Sequence, residues 1–263
     1  MHAKRLLVAV LLLPLFYFLV MGLPEWCFFA LLLCASALAQ WELYSMYRVS
    51  GLMRNSGMLF GVLMLAAAYI SVDPFPPVFA LAVMLTFAIR LFGVRDPSSS
   101  LRDISFTLLA LFYIPGLLAF QILLRHNGPE WIIFLYGCVW TSDSTAYYMG
   151  KGIGKRKLYP EISPKKTVAG ALGSLIGGSL SGWVLNAILV HSMATGESVI
   201  VGVLIGAVTI IGDLVESMFK RDAGVKDSSS IVPGHGGILD KIDGVLFVGP
   251  VLYLVSEILG VAK

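Results

Sequence analysis

Apolar residues in this chain come in long unbroken runs, with neither the alternation of a half-buried strand nor the narrow stripe of a soluble amphipathic helix. The runs lie near 5–22, 25–47, 56–72, 75–92, 104–123, 131–149, 167–190, 198–218 and 241–260. Each approaches or exceeds the ~20 residues with which a helix crosses a bilayer. The pattern predicts an all-α integral membrane protein, a polytopic bundle of about nine transmembrane helices. Only "SVDPFPP" separates the third run from the fourth. The first run follows "HAKR" but is too long for the apolar part of a signal peptide. No small-x-small cleavage site follows it promptly, so it is read as a span.

Charge supplies the orientation. With the N-terminus in the cytoplasm, all 19 Lys and Arg residues except Arg125 and Lys263 fall at the cytoplasmic side. That is the positive-inside distribution, and one miscounted span would scramble it. Composition agrees, with 57% hydrophobic and 13% charged residues and a mean hydropathy of +0.85. A soluble domain carries about 25% charged residues. The net charge of +3 therefore reflects topology and gives no ground for a nucleic-acid partner.

The chain divides into unequal parts within one membrane domain. Residues 1–130 read as scaffold spans almost devoid of charge. Glu42 and Arg90 lie near cytoplasmic span ends, where they are expected to snorkel as interfacial anchors. Trp26, Trp41 and Trp131 are placed as an aromatic belt. Cys27, Cys34 and Cys138 show no metal-binding spacing and read as packing residues.

Residues 131–263 read as a catalytic region, because acidic residues enter its spans. Asp143 interrupts "WTSDSTAYYMG", Asp213 and Glu216 interrupt "TIIGDLVESMFK", and Asp240 and Asp243 open the last run. Each acidic residue at bilayer depth costs about 2.5–3.5 kcal/mol, so several must meet one another, a cation or water. Asp143 precedes Gly150, and Asp213 precedes Lys220, by about 10 Å of helix. The last run descends from the same surface, so all four aspartates reach one level. Asp213, Glu216, Ser217 and Lys220 share a helix face. Oxygen ligands without His or Cys suit Mg²⁺ or Mn²⁺, one ion or two. The alternative is a set of buried ion pairs with Lys220, Lys226 and Lys241 that only hold helices together.

Two cytoplasmic connections flank these carboxylates. "GKGIGKRKLYPEISPKKT" is dense in lysine, and Ser163-Pro164 reads as the start of the seventh helix. Lys165, Lys166 and Thr167 would then surround a helix N-terminus, where phosphate is favoured. The second connection places His235 among Gly234, Gly236 and Gly237. The glycines permit positive φ or close backbone approach, and His235 is a candidate donor to a phosphate oxygen. In "GALGSLIGGSLSG", Gly170, Ser174, Gly178 and Gly182 lie four apart, with Gly173 and Gly177 on the adjacent face. Such faces let helix backbones approach closely, within one chain or across a dimer seam.

The stretch "SMFKRDAGVKDSSSIVPGHGGILDKID", Ser217 to Asp243, resembles the signature of the phosphatidate cytidylyltransferases. "SDSTAYYMGKGIGKRKL" and "SPKKTVAG" also resemble that family, so detailed likeness covers about 140–244. The resemblance implies a multi-pass enzyme of the bacterial cytoplasmic (inner) membrane that tends to form homodimers, with its active site facing the cytoplasm. It implies Mg²⁺-dependent conversion of CTP and phosphatidate to CDP-diacylglycerol and diphosphate. It also carries metal and catalytic roles onto Asp213, Asp240 and Asp243, with Lys220, Arg221, Lys226 and Asp227 in the signature. Asp143 is expected to join the metal site. Substrate contacts are expected from Asp143, Lys165, Lys166, Thr167, Ser217, His235, Gly236, Gly237 and Lys241. The sequence departs from the pattern at Lys241, where many members have Arg, and at Ser229, where many have Gly. A secondary transporter is disfavoured because its halves would repeat and its binding residues would lie at the midplane. A CTP-dependent enzyme acting on another lipid remains a close alternative.

Overall fold

The computed structural model describes residues 13–49, 51–73, 75–229, 231 and 236–260. Helix α1 occupies residues 13–21 of these, followed by α2 (Glu25–Met46), α3 (Gly51–Ile70) and α4 (Phe75–Gly93). Next, α5 (Ser100–Leu111) runs through a π-helical turn, Phe112–Gly116, into α6 (Leu117–His126). Pro115 explains that turn, since it lacks an N–H and its ring displaces the carbonyl four residues back. Then come α7 (Pro129–Ile153), α8 (Val168–Leu185) with a second π turn at Asn186–Val190, α9 (Thr195–Asp222) and α10 (Leu239–Ile258).

With α5 and α6 counted as one rod, the described residues form nine helical rods, one on each apolar run. Six are long and apolar enough to cross a membrane, and the chain is an all-α polytopic membrane protein. Some buried polar groups inside the bundle are bonded between helices, where no water is at hand to satisfy them. The Gln121 side chain donates to the Val245 carbonyl (3.1 Å) and accepts from the Tyr136 hydroxyl (2.9 Å). Trp131 is fully buried against Phe134 rather than in a belt, while Trp26 and Trp41 are exposed. Cys138 is packed inside, but Cys34 is exposed and so is no core residue.

Two charged side chains differ from expectation. Arg90 is not an interfacial anchor: it is buried, pairs with Asp103 at 2.8 Å, and donates to the carbonyls of Val94, Asp96 and Ser98. It thereby ties the α4–α5 connection to α4. Glu42 is fully buried and bonds a distant loop. In both cases backbone groups, invisible to a charge pattern, help to satisfy the ion.

The connection after α7 forms an antiparallel hairpin, β1 (Lys157–Tyr159) with β2 (Ser163–Thr167). Ser163-Pro164 therefore lies in a strand and does not start the helix. The N-cap of α8 is Thr167, whose Oγ1 accepts from the Gly170 amide at 3.1 Å.

Helix α8 is wedged between α7 and α9, and its small residues are the means. A side chain at Gly173 would stand 2.8 Å from the Thr145 carbonyl of α7. One at Gly182 would stand 2.6 Å from the Ser198 carbonyl of α9, and one at Gly178 would meet the Gly202 carbonyl. Ser174 Oγ donates to the Gly206 carbonyl at 3.0 Å. Both glycine faces are covered within the chain.

Gly178→Leu should therefore lower the thermal midpoint of detergent-solubilised protein by about 5 °C or more, given the usual 1–3 kcal/mol cost of overpacking. Gly196→Leu, at a position with open space around it, serves as the control. Equal midpoints for the two variants would contradict the close α8–α9 contact.

Candidate active site

Close helix crossings bring the acidic residues together. A side chain at Gly212 of α9 would sit 2.6 Å from the Asp243 carbonyl and 3.3 Å from Gly244 Cα. Without one, α9 and α10 meet at Gly212 and Gly244, and Asp213 arrives beside Asp243. On the other side, Gly150 and Gly170 let the end of α7 press on the start of α8. These glycines serve packing.

Between these crossings lies a cavity of about 590 Å³, within the range of small-molecule sites. Asp143, Asp213, Asp240 and Asp243 all line it, as do Lys151, Lys165, Lys166, Thr167 and Lys220. The apolar wall includes Ala146, Leu158 and Ile210. Four carboxylates and four ammonium groups thus share one chamber at the end of the bundle that carries the hairpin.

Their pairing is specific. Lys166 Nζ lies 2.6 Å from Asp213 Oδ2. Lys220 Nζ bridges Asp240 Oδ1 at 2.5 Å and the fully buried Glu216. Asp240 Oδ2 accepts from the Ser228 amide (3.0 Å), the Ser228 hydroxyl (2.8 Å) and the Gly237 amide (2.8 Å). Both oxygens of Asp240 are therefore engaged. Asp143 and Asp243 have no ion-pair partner among the described residues; Asp243 accepts only its neighbouring Gly244 amide at 2.8 Å.

That imbalance bears on a metal. Two unpaired carboxylates face the cavity beside Asp213, and the donors are hard oxygens, which fit Mg²⁺ or a similar cation. In the present arrangement no three acidic, His or Cys groups among the described residues close to coordination spacing.

Other expected site residues lie outside the cavity. Ser217 Oγ points to Asp213 Oδ1 at 3.4 Å, one helix turn away. Arg221 is exposed and donates to the carbonyls of Ile162 and Val225, tying α9 to the hairpin. Lys226, Asp227 and Lys241 are exposed, and neither lysine forms an ion pair among the described residues. Gly236 has φ +81° and packs against Asp240, as does the Gly237 amide. His235 and Gly234 lie outside the described residues. Sequence reasoning missed the role of Glu42, which bonds both ends of the signature loop, and of Ser229, whose hydroxyl reaches Glu42 at 2.6 Å. A lone charge near a span end gave no local signal of a partner almost two hundred residues away.

Comparison with known proteins bears on this site. The chain matches the Cytidylyltransferase family over residues 3–259. A phosphatidate cytidylyltransferase of Synechocystis sp. is 34% identical, with 96% of each chain covered. One from Bacillus subtilis is 36% identical over 66% of this chain and 65% of that protein. One from Brucella abortus is 41% identical over 56% of each.

Lys220→Met should lower the thermal midpoint more than Lys166→Met. Removing one partner of a buried pair costs on the order of 3 kcal/mol, and it would strand both Glu216 and Asp240. The Lys166–Asp213 pair is more exposed. Adding Glu216→Gln to Lys220→Met should restore part of the loss. Unfolding scans that show equal shifts, or no recovery, would contradict the bridge.

Proposed function

The chain belongs to the cytidylyltransferase family, and on that basis we propose that it transfers the cytidylyl group of CTP to phosphatidate. The observation that carries this reading is the cavity in which four aspartates and four lysines meet at one end of a membrane bundle. Two phosphate-bearing substrates repel each other; the lysines of this chamber supply countercharge, and a divalent cation held by its aspartates would supply the rest.

The lipid phosphate oxygen attacks the α-phosphorus of CTP in line. A new P–O bond forms as the bond to diphosphate breaks, giving CDP-diacylglycerol and diphosphate. A phosphate monoester has a second pKa of about 6, so it is already largely dianionic and needs no general base. Lys165, Lys166 and Lys151 offer ammonium groups to the triphosphate beside the N-terminus of α8. Lys220, held by Asp240 and Glu216, presents its charge from the opposite wall. Asp143, Asp213 and Asp243 would hold Mg²⁺ or Mn²⁺, one ion or two; Asp240 joins them only if Lys220 releases it. When bound, the cation neutralises the attacked and leaving phosphate oxygens. Arg221 shapes the chamber by fixing the hairpin, and Ser217 orients Asp213.

The assignment extends to topology. The end bearing the cavity is also the basic end, so the positive-inside rule turns it toward the cytoplasm of a bacterial inner membrane. The homodimer remains part of the proposal, with its seam away from the two small-residue faces of α8, which α7 and α9 cover.

Asp213→Asn should reduce turnover of CTP with phosphatidate at least ~10²-fold at saturating Mg²⁺, the usual loss for one electrostatic contributor. Near-normal turnover in a folded variant would remove Asp213 from the reaction. Orientation has its own check. In a variant without native cysteines, Glu161→Cys and Gly196→Cys should react with an impermeant maleimide from opposite sides of sealed vesicles. Reaction from the same side would overturn the orientation.

A further inference from the structure

We infer that Glu42 is a positioning residue for this reaction: it holds Ser228 and Ser229 together with Ile238 and Leu239 so that Asp240, and through it Lys220, faces the cavity. The kinetic part of the inference rests on the proposed function; the structural part does not.

Glu42 is fully buried, on a helix that contributes nothing to the cavity wall. It has no ion-pair partner among the described residues. Hydrogen-bond donors satisfy it instead, all from one segment. Oε1 accepts from Ser229 Oγ (2.6 Å) and the Ile238 amide (2.9 Å). Oε2 accepts from the Leu239 amide (2.8 Å) and lies 3.0 Å from Ser228 Oγ, whose one proton it shares with Asp240. Buried carboxylates persist where donors satisfy them, and here the donors come from both ends of the loop. Glu42 therefore pins the entry to the loop and the start of α10 to one point.

Asp240 stands on the other side of the same pin. The Ser228 hydroxyl lies within bonding distance of both carboxylates and the Gly237 amide bonds Asp240. Gly237 is small by necessity, because a side chain there would collide with Ser228 Oγ and the Glu42 carboxylate. Two carboxylates, one from α2 and one from α10, thus grip one backbone segment. Only one of them faces the cavity. Slackening the outer one changes where the inner one points, and Asp240 Oδ1 holds Lys220.

Glu42→Gln tests this at nearly constant volume, because it turns one acceptor oxygen into a donor facing donors. Hydrogen–deuterium exchange of the purified protein without substrates should show the Ile238 and Leu239 amides exchanging about tenfold faster or more, the scale of one charge-assisted bond. Amides of α2 and α9 should keep wild-type rates. With CTP and phosphatidate, kcat should fall about tenfold or more, as small misplacements of reacting groups do. Glu42→Asp, which keeps both acceptors, should recover part of it. Where Glu42→Gln does not fold, Ser229→Ala removes one donor from the loop side and should show the same changes in weaker form. Unchanged exchange at residues 238 and 239 overturns the inference. So does faster exchange with unaltered kcat and KM, which reduces Glu42 to a structural brace. If the wild-type protein transfers no cytidylyl group, the functional reading fails, and the exchange data still decide whether Glu42 holds the segment.

Discussion

Asp143, Asp213, Asp240 and Asp243 stand on three helices that lipid and apolar side chains surround, so each needs countercharge or hydrogen-bond donors from the protein or a ligand. Burying an unpaired charge is among the most expensive things a fold can do. The chain meets that demand unevenly. Asp240 is saturated by Lys220, Ser228 and Gly237, and Asp213 is paired with Lys166. Asp143 and Asp243 are left facing the cavity without a cation from the described residues. That unevenness is the ground for the proposed cation site at Asp143, Asp213 and Asp243.

Much of the architecture follows from assembling that chamber. Glycines at 150, 170, 212 and 244 bring α7, α8, α9 and α10 close enough for their acidic and basic side chains to share one cavity. The β1–β2 hairpin folds the lysine-rich connection back so that Lys165 and Lys166 enter the cavity wall just before Thr167 caps α8. Arg221 secures the hairpin to α9. The scaffold helices contribute more than bulk, since Glu42 of α2 grips the segment leading into α10.

The sequence carried the spans and the grouping of the four aspartates, which line one cavity, because both follow from local properties. Run lengths set the helices, as with 75–92 against Phe75–Gly93, and helical rise placed Asp143 and Asp213 near the same end of α7 and α9. The hairpin was not legible: "KLYPEISPKKT" has no apolar alternation, and a three-residue strand leaves little pattern. Nor could Glu42 and Arg90 be told from snorkelling residues, since their partners are main-chain groups together with Asp103, Ser228 and Ser229, which helix periodicity does not bring to them. The pairing of Lys166 with Asp213, rather than of Lys226 or Lys241 with any carboxylate, depends on how α8 and α9 cross. Helix periodicity alone leaves that open.

On the proposed function, this chamber joins a nucleotide to a lipid phosphate by charge neutralisation. The most direct measurement supplies the purified protein with α-labelled CTP and Mg²⁺, offering phosphatidate, an isoprenoid alcohol and no lipid in parallel. Labelled CDP-diacylglycerol should form with phosphatidate alone, with equimolar diphosphate, and transfer should cease once the divalent cation is chelated. Transfer to the alcohol in preference to phosphatidate, or transfer that survives chelation, would contradict it.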